Sequence, residues 1–245
     1  MKKNIPRIYI QNELKIHQVL SLSKDHIHYI KTVLRMNIQD IIEIFNNTNS
    51  IFFAKIIYLS KKIIKIKIFE HQFKNIESPL YIHLGQVISK NDKMNFTIQK
   101  SIEMGVNIIT PLFFKSTNTQ KNMIDVSHKI EHWKKIIISA CQQCHRNIIP
   151  MIQNAQDIFS WCQNNTDNSI NIIFHPQSTL TLNDLPPCVK YVRIIIGSEK
   201  GFSKNEIFKI IKYGFLPIKL GPRILRTETA AIVAITALQI KFGDF

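Results

Sequence analysis

LGPRILRTETAAIVAITALQI, residues 220–240, sets a tight turn directly before an apolar helix. Glycine and proline break the chain at 221 and 222. Two arginines, a threonine and a glutamate follow within six residues, and only then does the alanine-rich run begin. A turn that merely reverses the chain has no need of two arginines. The stretch VRIIIGSEKGFSKNE, residues 192–206, repeats the logic: an apolar strand stops at Gly197 and polar side chains emerge. Glycine at such points lets backbone approach a ligand closely. A third strand end, FHPQS at 174–178, carries His175 and Pro176. In open α/β sheets ligands bind beyond the carboxyl ends of strands, so these segments are expected to form one pocket of loops.

The rest of the chain supplies the scaffold for such loops. After Pro79, apolar strands (YIHLGQVI, IITPLFF, NIIFH, VRIIIG, FLPIKLG) alternate with amphipathic helices expected at about Lys93–Met104 and Val126–Cys144. That alternation defines an α/β domain with a mainly parallel sheet. Ser203 and Glu206 have the spacing of a capping box, opening a helix closed by Gly214. From Asp40 to Glu70 the pattern is different: IIEIF, IFFAKIIYL and KIIKIKIF alternate apolar and basic residues at period two, as a small antiparallel sheet or barrel would. A short helix over His26–Leu34 precedes them. The chain therefore divides into residues 1–76 and 77–245.

Thirty-two Lys plus Arg against seventeen Asp plus Glu give a formal charge of +15, which suits a polyanionic partner such as nucleic acid. Thirteen of the basic residues but only five of the acidic ones lie in residues 1–75, making that domain the better phosphate grip. Lysine is abundant throughout; arginine, whose planar fork holds phosphate at two points, occurs six times. Arg7, Arg35, Arg146 and Arg223, with Lys93, are the candidate nucleic-acid contacts. Arg193 is open between nucleic acid, a partner subunit and solvent. The N-terminus has two lysines but no apolar run behind them, and no segment reaches the roughly 18 apolar residues of a membrane span, so a cytoplasmic protein is expected. Four cysteines make no disulfide framework. Cys141 and Cys144 lack the further ligands zinc requires, so no metal is expected.

Taken together, LGPRILRTETAAIVAITALQ, IIIGSEKGFSKNEI, KNDKMNFTIQKSIEMGV, HWKKIIISACQQCHRNIIP and the opening PRIYI with HYIKTVLRMNIQD resemble the RsmE family of the SPOUT methyltransferases, in order and over nearly the whole chain. The resemblance implies a PUA-like N-terminal β-barrel that holds RNA and a C-terminal α/β domain tied in a trefoil knot. It also implies a homodimer and methylation of uridine N3 in 16S ribosomal RNA of the small subunit, with S-adenosyl-L-methionine as cofactor. By motif position the cofactor residues would be His175, Pro176, Gly197, Glu199, Gly201, Leu220, Gly221, Ile224, Leu225 and Thr227. One departure stands out: the family usually reads GPEGG where this chain has Gly197, Ser198, Glu199, Lys200, Gly201.

Uridine N3 carries a weakly acidic proton, so its attack on the sulfonium methyl requires losing that proton and stabilising the negative charge then spread onto the flanking carbonyl oxygens. A fixed cation at the ring stabilises that charge, and Arg226 is the expected one. Glu199 and Glu228 are candidate proton acceptors, although Glu228 in the first turn of a helix is also favoured by the helix dipole alone. Two other readings stay open at this point: a non-catalytic RNA-binding ribosome-assembly factor, and a ribose 2'-O RNA methyltransferase.

Overall fold

The structure is a computed structural model and describes residues 5–115, 119–164 and 169–245; the two lysines near the N-terminus lie outside them. It divides into two compact units, Met1–Glu77 with Cys141–Ile149, and Ser78–Ala140 with Pro150–Phe245.

In the first unit, strands β1 (Arg7–Tyr9), β2 (Val19–Ser21), β3 (Ile41–Phe45), β4 (Ser50–Leu59) and β5 (Ile64–Phe73) form one sheet in the order β1-β3-β4-β5-β2. The β1–β3 pair is parallel and the others antiparallel. The period-two pattern does what it implies: Ile64, Ile66 and Ile68 are buried while Lys65 and Lys67 face solvent. Each such isoleucine contributes about 1.5–3 kcal/mol of burial. The expected barrel is not closed. Among the described residues β1 pairs only with β3 and β2 only with β5, and three-residue strands have no ladder left to join the two edges. Helical residues complete the core instead: Ile30 is fully buried in it and Ile27 packs against it.

That helical stretch is also more irregular than expected. Helix α1 (Lys24–His28) starts at Ser23, whose hydroxyl accepts from the His26 amide at 3.3 Å, and passes into a π-turn over Tyr29–Val33, closed by Leu34 N–H to Tyr29 C=O at 3.0 Å. Arg35 then ends it in the left-handed region at φ +51°, its side chain exposed.

Arg7 and Arg146 are corrections to the expected RNA contacts. They are 5% and 4% exposed. The Arg7 guanidinium pairs with Glu43, donates to the carbonyls of Cys141 (2.7 Å) and Arg146 (3.1 Å) and to the side chain of Asn147, and lies 4.2 Å over the Phe45 ring. Arg146 grips both oxygens of Glu77. Their forks are spent on holding residues 141–149 into this unit. Cys141 is buried as well: desolvation pushes its thiol up to about 12, and its Sγ points at the Ile148 carbonyl.

The second unit is an α/β layer structure. Its strands are β6 (Tyr81–Val87), β7 (Ile108–Phe113), β8 (Met151–Ile152), β9 (Gln156–Asp157), β10 (Ile170–Phe174), β11 (Tyr191–Ile196) and β12 (Leu216–Ile218). Helices α2 (Asn91–Glu103), α3 (Thr119–Cys144), α4 (Ile158–Gln163), α5 (Lys204–Lys212) and α6 (Thr227–Phe242) separate or follow them. The order is β12-β10-β11-β6-β7-β8, with β9 also on β7, and every pairing is parallel. Helices on the faces explain why the central strands read as near-continuous apolar runs.

Arg193 interrupts β11 yet is buried: it donates to the Trp161 carbonyl at 2.7 Å and lies 3.9 Å over that indole ring. Its neighbour across the sheet, His83, is pushed down to about 3 by burial first and by the Arg193 charge second, so it stays neutral and hydrogen-bonds Thr110 at 2.7 Å. The capping box of α5 is present as read, Glu206 reaching the Ser203 amide at 2.7 Å, with Gly214 at φ +85° beyond its end. Strand β12 is shorter than expected, and this leaves residues 219–226 free to form a loop.

Candidate active site

Strands β12, β10 and β11 are neighbours, so the loops that follow them open at the same edge of the sheet. They enclose a cavity of about 450 Å³ lined by Phe174–Pro176, Ile196–Phe202, Leu220, Gly221 and Arg223–Thr227, with Lys93 and Ala230 completing the wall. That volume is ample for a small organic ligand. All ten residues expected around a cofactor, Glu199 among them, lie on it, as do Arg226, Lys93 and Arg223; Glu228 does not.

Each loop is fixed by its own bonds. His175 N–H donates to Ile218 C=O at 2.9 Å, tying the first loop to β12. The second turns through Gly201 N–H to Ser198 C=O at 2.9 Å, with Gly201 at φ +67°, a conformation that costs other residues. A Cβ at Gly197 would sit 2.9 Å from the Phe202 ring, so glycine there lets the aromatic close over the loop. In the third loop Gly221 adopts φ +151° with nothing within 4 Å of where a Cβ would lie, leaving its backbone open to a ligand. Where the family has proline and glycine, Ser198 and Lys200 are accommodated without losing the turn.

A buried bridge joins the second and third loops. Thr227 Oγ1 donates to the Gly197 carbonyl at 2.5 Å and accepts from Gln86 Nε2 at 3.1 Å, and Gln86 also donates to its neighbour's carbonyl at Val87, 3.0 Å away. Gln86 was not foreseen. Its signal was a polar residue inside the apolar strand LGQVI, since a buried amide must find partners.

The charged groups sort by exposure. Lys93, expected to touch RNA, lies between two carboxylates, 3.6 Å from Glu199 Oε1 and 3.9 Å from Glu228 Oε2. The Glu199 carboxyl is held below its ordinary range by its own backbone amide, that of Lys90 and the Lys93 charge, against the opposing effect of burial. A carboxylate so stabilised is a weak base and a good tether. Glu228 keeps one buried oxygen that makes no hydrogen bond among the described residues. Arg223 and Arg226 are exposed, and neither forms an ion pair among the described residues. Ile224 between them is 88% exposed. Among the described residues no group of three or more His, Cys, Asp or Glu is placed to hold a metal, and no helix is long and apolar enough to cross a membrane.

An α/β unit with a loop cavity at the strand ends, and with exposed arginines on it that form no ion pair among the described residues, has the layout of a ligand-binding domain with cations free to meet an anionic group. Residues 76–239 match the model of the RNA methyltransferase domain, and residues 22–69 that of the RNA methyltransferase PUA domain. The chain is 63% identical to the ribosomal RNA small subunit methyltransferase E of Buchnera aphidicola from Acyrthosiphon pisum, over 99% of this chain and 96% of that one. A putative methyltransferase from Legionella pneumophila, solved with bound S-adenosylmethionine, superposes with a TM-score of 0.92 at 39% identity, covering 99% of this chain and all of the other. The small subunit methyltransferase E of Neisseria gonorrhoeae, also solved with S-adenosylmethionine, gives 0.91 at 30% identity, covering 99% of this chain and all of the other. The chain belongs to the ribosomal RNA small subunit methyltransferase E family, RsmE.

Proposed function

We propose that this protein methylates N3 of a uridine in 16S ribosomal RNA of the small subunit, using S-adenosyl-L-methionine, and that it acts in the cytoplasm as a homodimer. The convergence of the three loops carries the reading. The cavity has the size for the cofactor, the open backbone at Gly221 and Gly201 suits close approach, and Phe174, Ile196, Phe202 and Leu225 supply apolar wall. When bound, the cofactor supplies an electrophilic methyl group.

The chain's own residues do the rest. Arg226 lines the cavity, exposed and forming no ion pair among the described residues, where a cation stabilises the negative charge that loss of the N3 proton places on the uracil carbonyls. Glu199 and Glu228 are the candidate acceptors for the N3 proton: Glu199 lines the cavity but is engaged as a tether, and Glu228, whose buried Oε2 lies 3.9 Å from the Lys93 ammonium, stands off the lining. Arg35, Arg223 and Lys93 remain candidate RNA contacts. Helix α6 is mostly apolar between Ala230 and Leu238 yet leaves Ile232, Val233 and Ala237 half-exposed and Ile240 exposed, which supports a subunit interface. A SPOUT trefoil knot is supported by the chain path: β12 lies beyond β10, and the segment after it returns past the end of β11, where Thr227 meets Gly197.

Transfer of labelled methyl from S-adenosylmethionine to small subunits that lack the modification tests the reading; binding without transfer would refute it. Two further results are expected. Thr227→Val removes the hydroxyl that donates to the Gly197 carbonyl and one of the acceptors of the Gln86 amide, which keeps its bond to Val87, a cost of about 1–3 kcal/mol. Calorimetry should therefore show cofactor affinity lowered roughly five- to hundredfold, with Thr227→Ser near wild type. The second concerns pH. Glu199 has a lowered pKa when tethered, so its contribution is complete above the ordinary value of 4.5 and is lost as pH falls through the depressed one. Cofactor affinity should hold from neutral pH down to that range and weaken below it, and Glu199→Gln should flatten the profile.

A further inference from the structure

We propose that the outer face of the N-terminal sheet is an RNA-binding platform, on which lysines of β4 and β5 hold the backbone of a single strand while Tyr58 and Phe69 stack its bases. This rests on the reading that the substrate is ribosomal RNA, and it replaces the buried Arg7 and Arg146 as the contact surface of this unit.

The register puts Lys55 of β4 directly opposite Lys67 of β5, and Tyr58 opposite Lys65. Like charges facing each other across a ladder destabilise a sheet. No carboxylate pairs with these lysines among the described residues: Glu70, the only acidic residue in β4, β5 or β2, is brought to the same face by the bulge that sets it opposite Phe53, yet it forms no ion pair and accepts a hydrogen bond from Gln72. Nor do the lysines guard a sheet edge, because β5 is paired on both sides, with β4 and with β2. A merely solvated face would also be polar, whereas Tyr58 and Phe69 are 49% and 40% exposed here, with the Lys55 ammonium 5.9 Å from the Phe69 ring centre. Cations interleaved with open aromatic rings on one sheet face match the needs of an unpaired RNA strand: charge for phosphates, ring faces for bases.

The test uses the full chain and a single-stranded oligouridylate, with binding followed by fluorescence anisotropy against salt. In Lys55→Gln/Lys65→Gln/Lys67→Gln, losing three phosphate contacts at about 0.7 each should reduce the slope of log affinity on log salt by about 2. Cofactor binding in the other unit should be unchanged. Lys67→Glu alone should raise the melting temperature, by pairing with Lys55, and yet weaken RNA binding about tenfold or more. A protein that is both stabilised and impaired cannot be explained by misfolding. Duplex RNA should compete poorly. An unchanged slope in the triple variant, or duplex competing as well as single strand, would overturn the platform. Wild-type protein that binds the oligonucleotide with the expected slope but never methylates ribosomal RNA would overturn the activity and leave the platform standing.

Discussion

Arg226→Ala should lower turnover by about 10²–10³, the usual cost of removing one preorganised donor from a developing anion, while leaving the cofactor dissociation constant within about twofold. The separation follows from where Arg226 sits. Its backbone is the N-cap of α6, and its carbonyl accepts from the Ala230 amide at 2.7 Å, a bond that alanine preserves. Its side chain is exposed and makes no ion pair among the described residues, so removing it disturbs no loop. Arg226→Lys should recover only part of the rate, because an ammonium cannot present two donors in a plane to a uracil edge. Single-turnover methylation with separate calorimetry of cofactor binding resolves the two quantities. Unaltered turnover in the alanine variant would remove Arg226 from the chemistry.

Arg7→Ala should act on the fold. It leaves Glu43 buried without its partner and withdraws the donors from the carbonyls of Cys141 and Arg146. Breaking a buried pair from one side costs about 3–5 kcal/mol, a large share of a small domain's stability. Denaturant unfolding should show that loss, and because residues 141–149 are held by the same guanidinium, their amides should lose hydrogen-exchange protection with it. The paired replacement Arg7→Met/Glu43→Met should recover most of the stability, since no charge is then left stranded. A loss below about 1 kcal/mol in the single variant would mean that the pair is not carrying the unit.

Much of this architecture was legible in the sequence. The switch from period-two alternation before Glu70 to apolar strands and amphipathic helices after Pro79 separates the two sheets, and the turns at Gly197 and Gly221 do converge, as a pocket at parallel strand ends requires. Local patterns could not reveal long-range pairing. Arg7 and Arg146 look like surface cations in sequence, because nothing local announces that the buried Glu43 and the part-buried Glu77 will pair with them. Sheet closure failed for a related reason: alternation marks which residues face inward, but whether two edge strands meet depends on their length and on Ile30, a helical residue, filling the core. Gln86 and the bridging position of Lys93 arise from tertiary proximity across β6, α2 and two loops, each of which is ordinary when read alone.

The most direct test is mass spectrometry of nucleosides from small-subunit RNA, first lacking the modification and then incubated with this protein and S-adenosylmethionine. The account predicts one new 3-methyluridine per subunit and no change in ribose methylation. A methyl group on a 2'-hydroxyl instead, or RNA recovered bound but unmethylated, would contradict it.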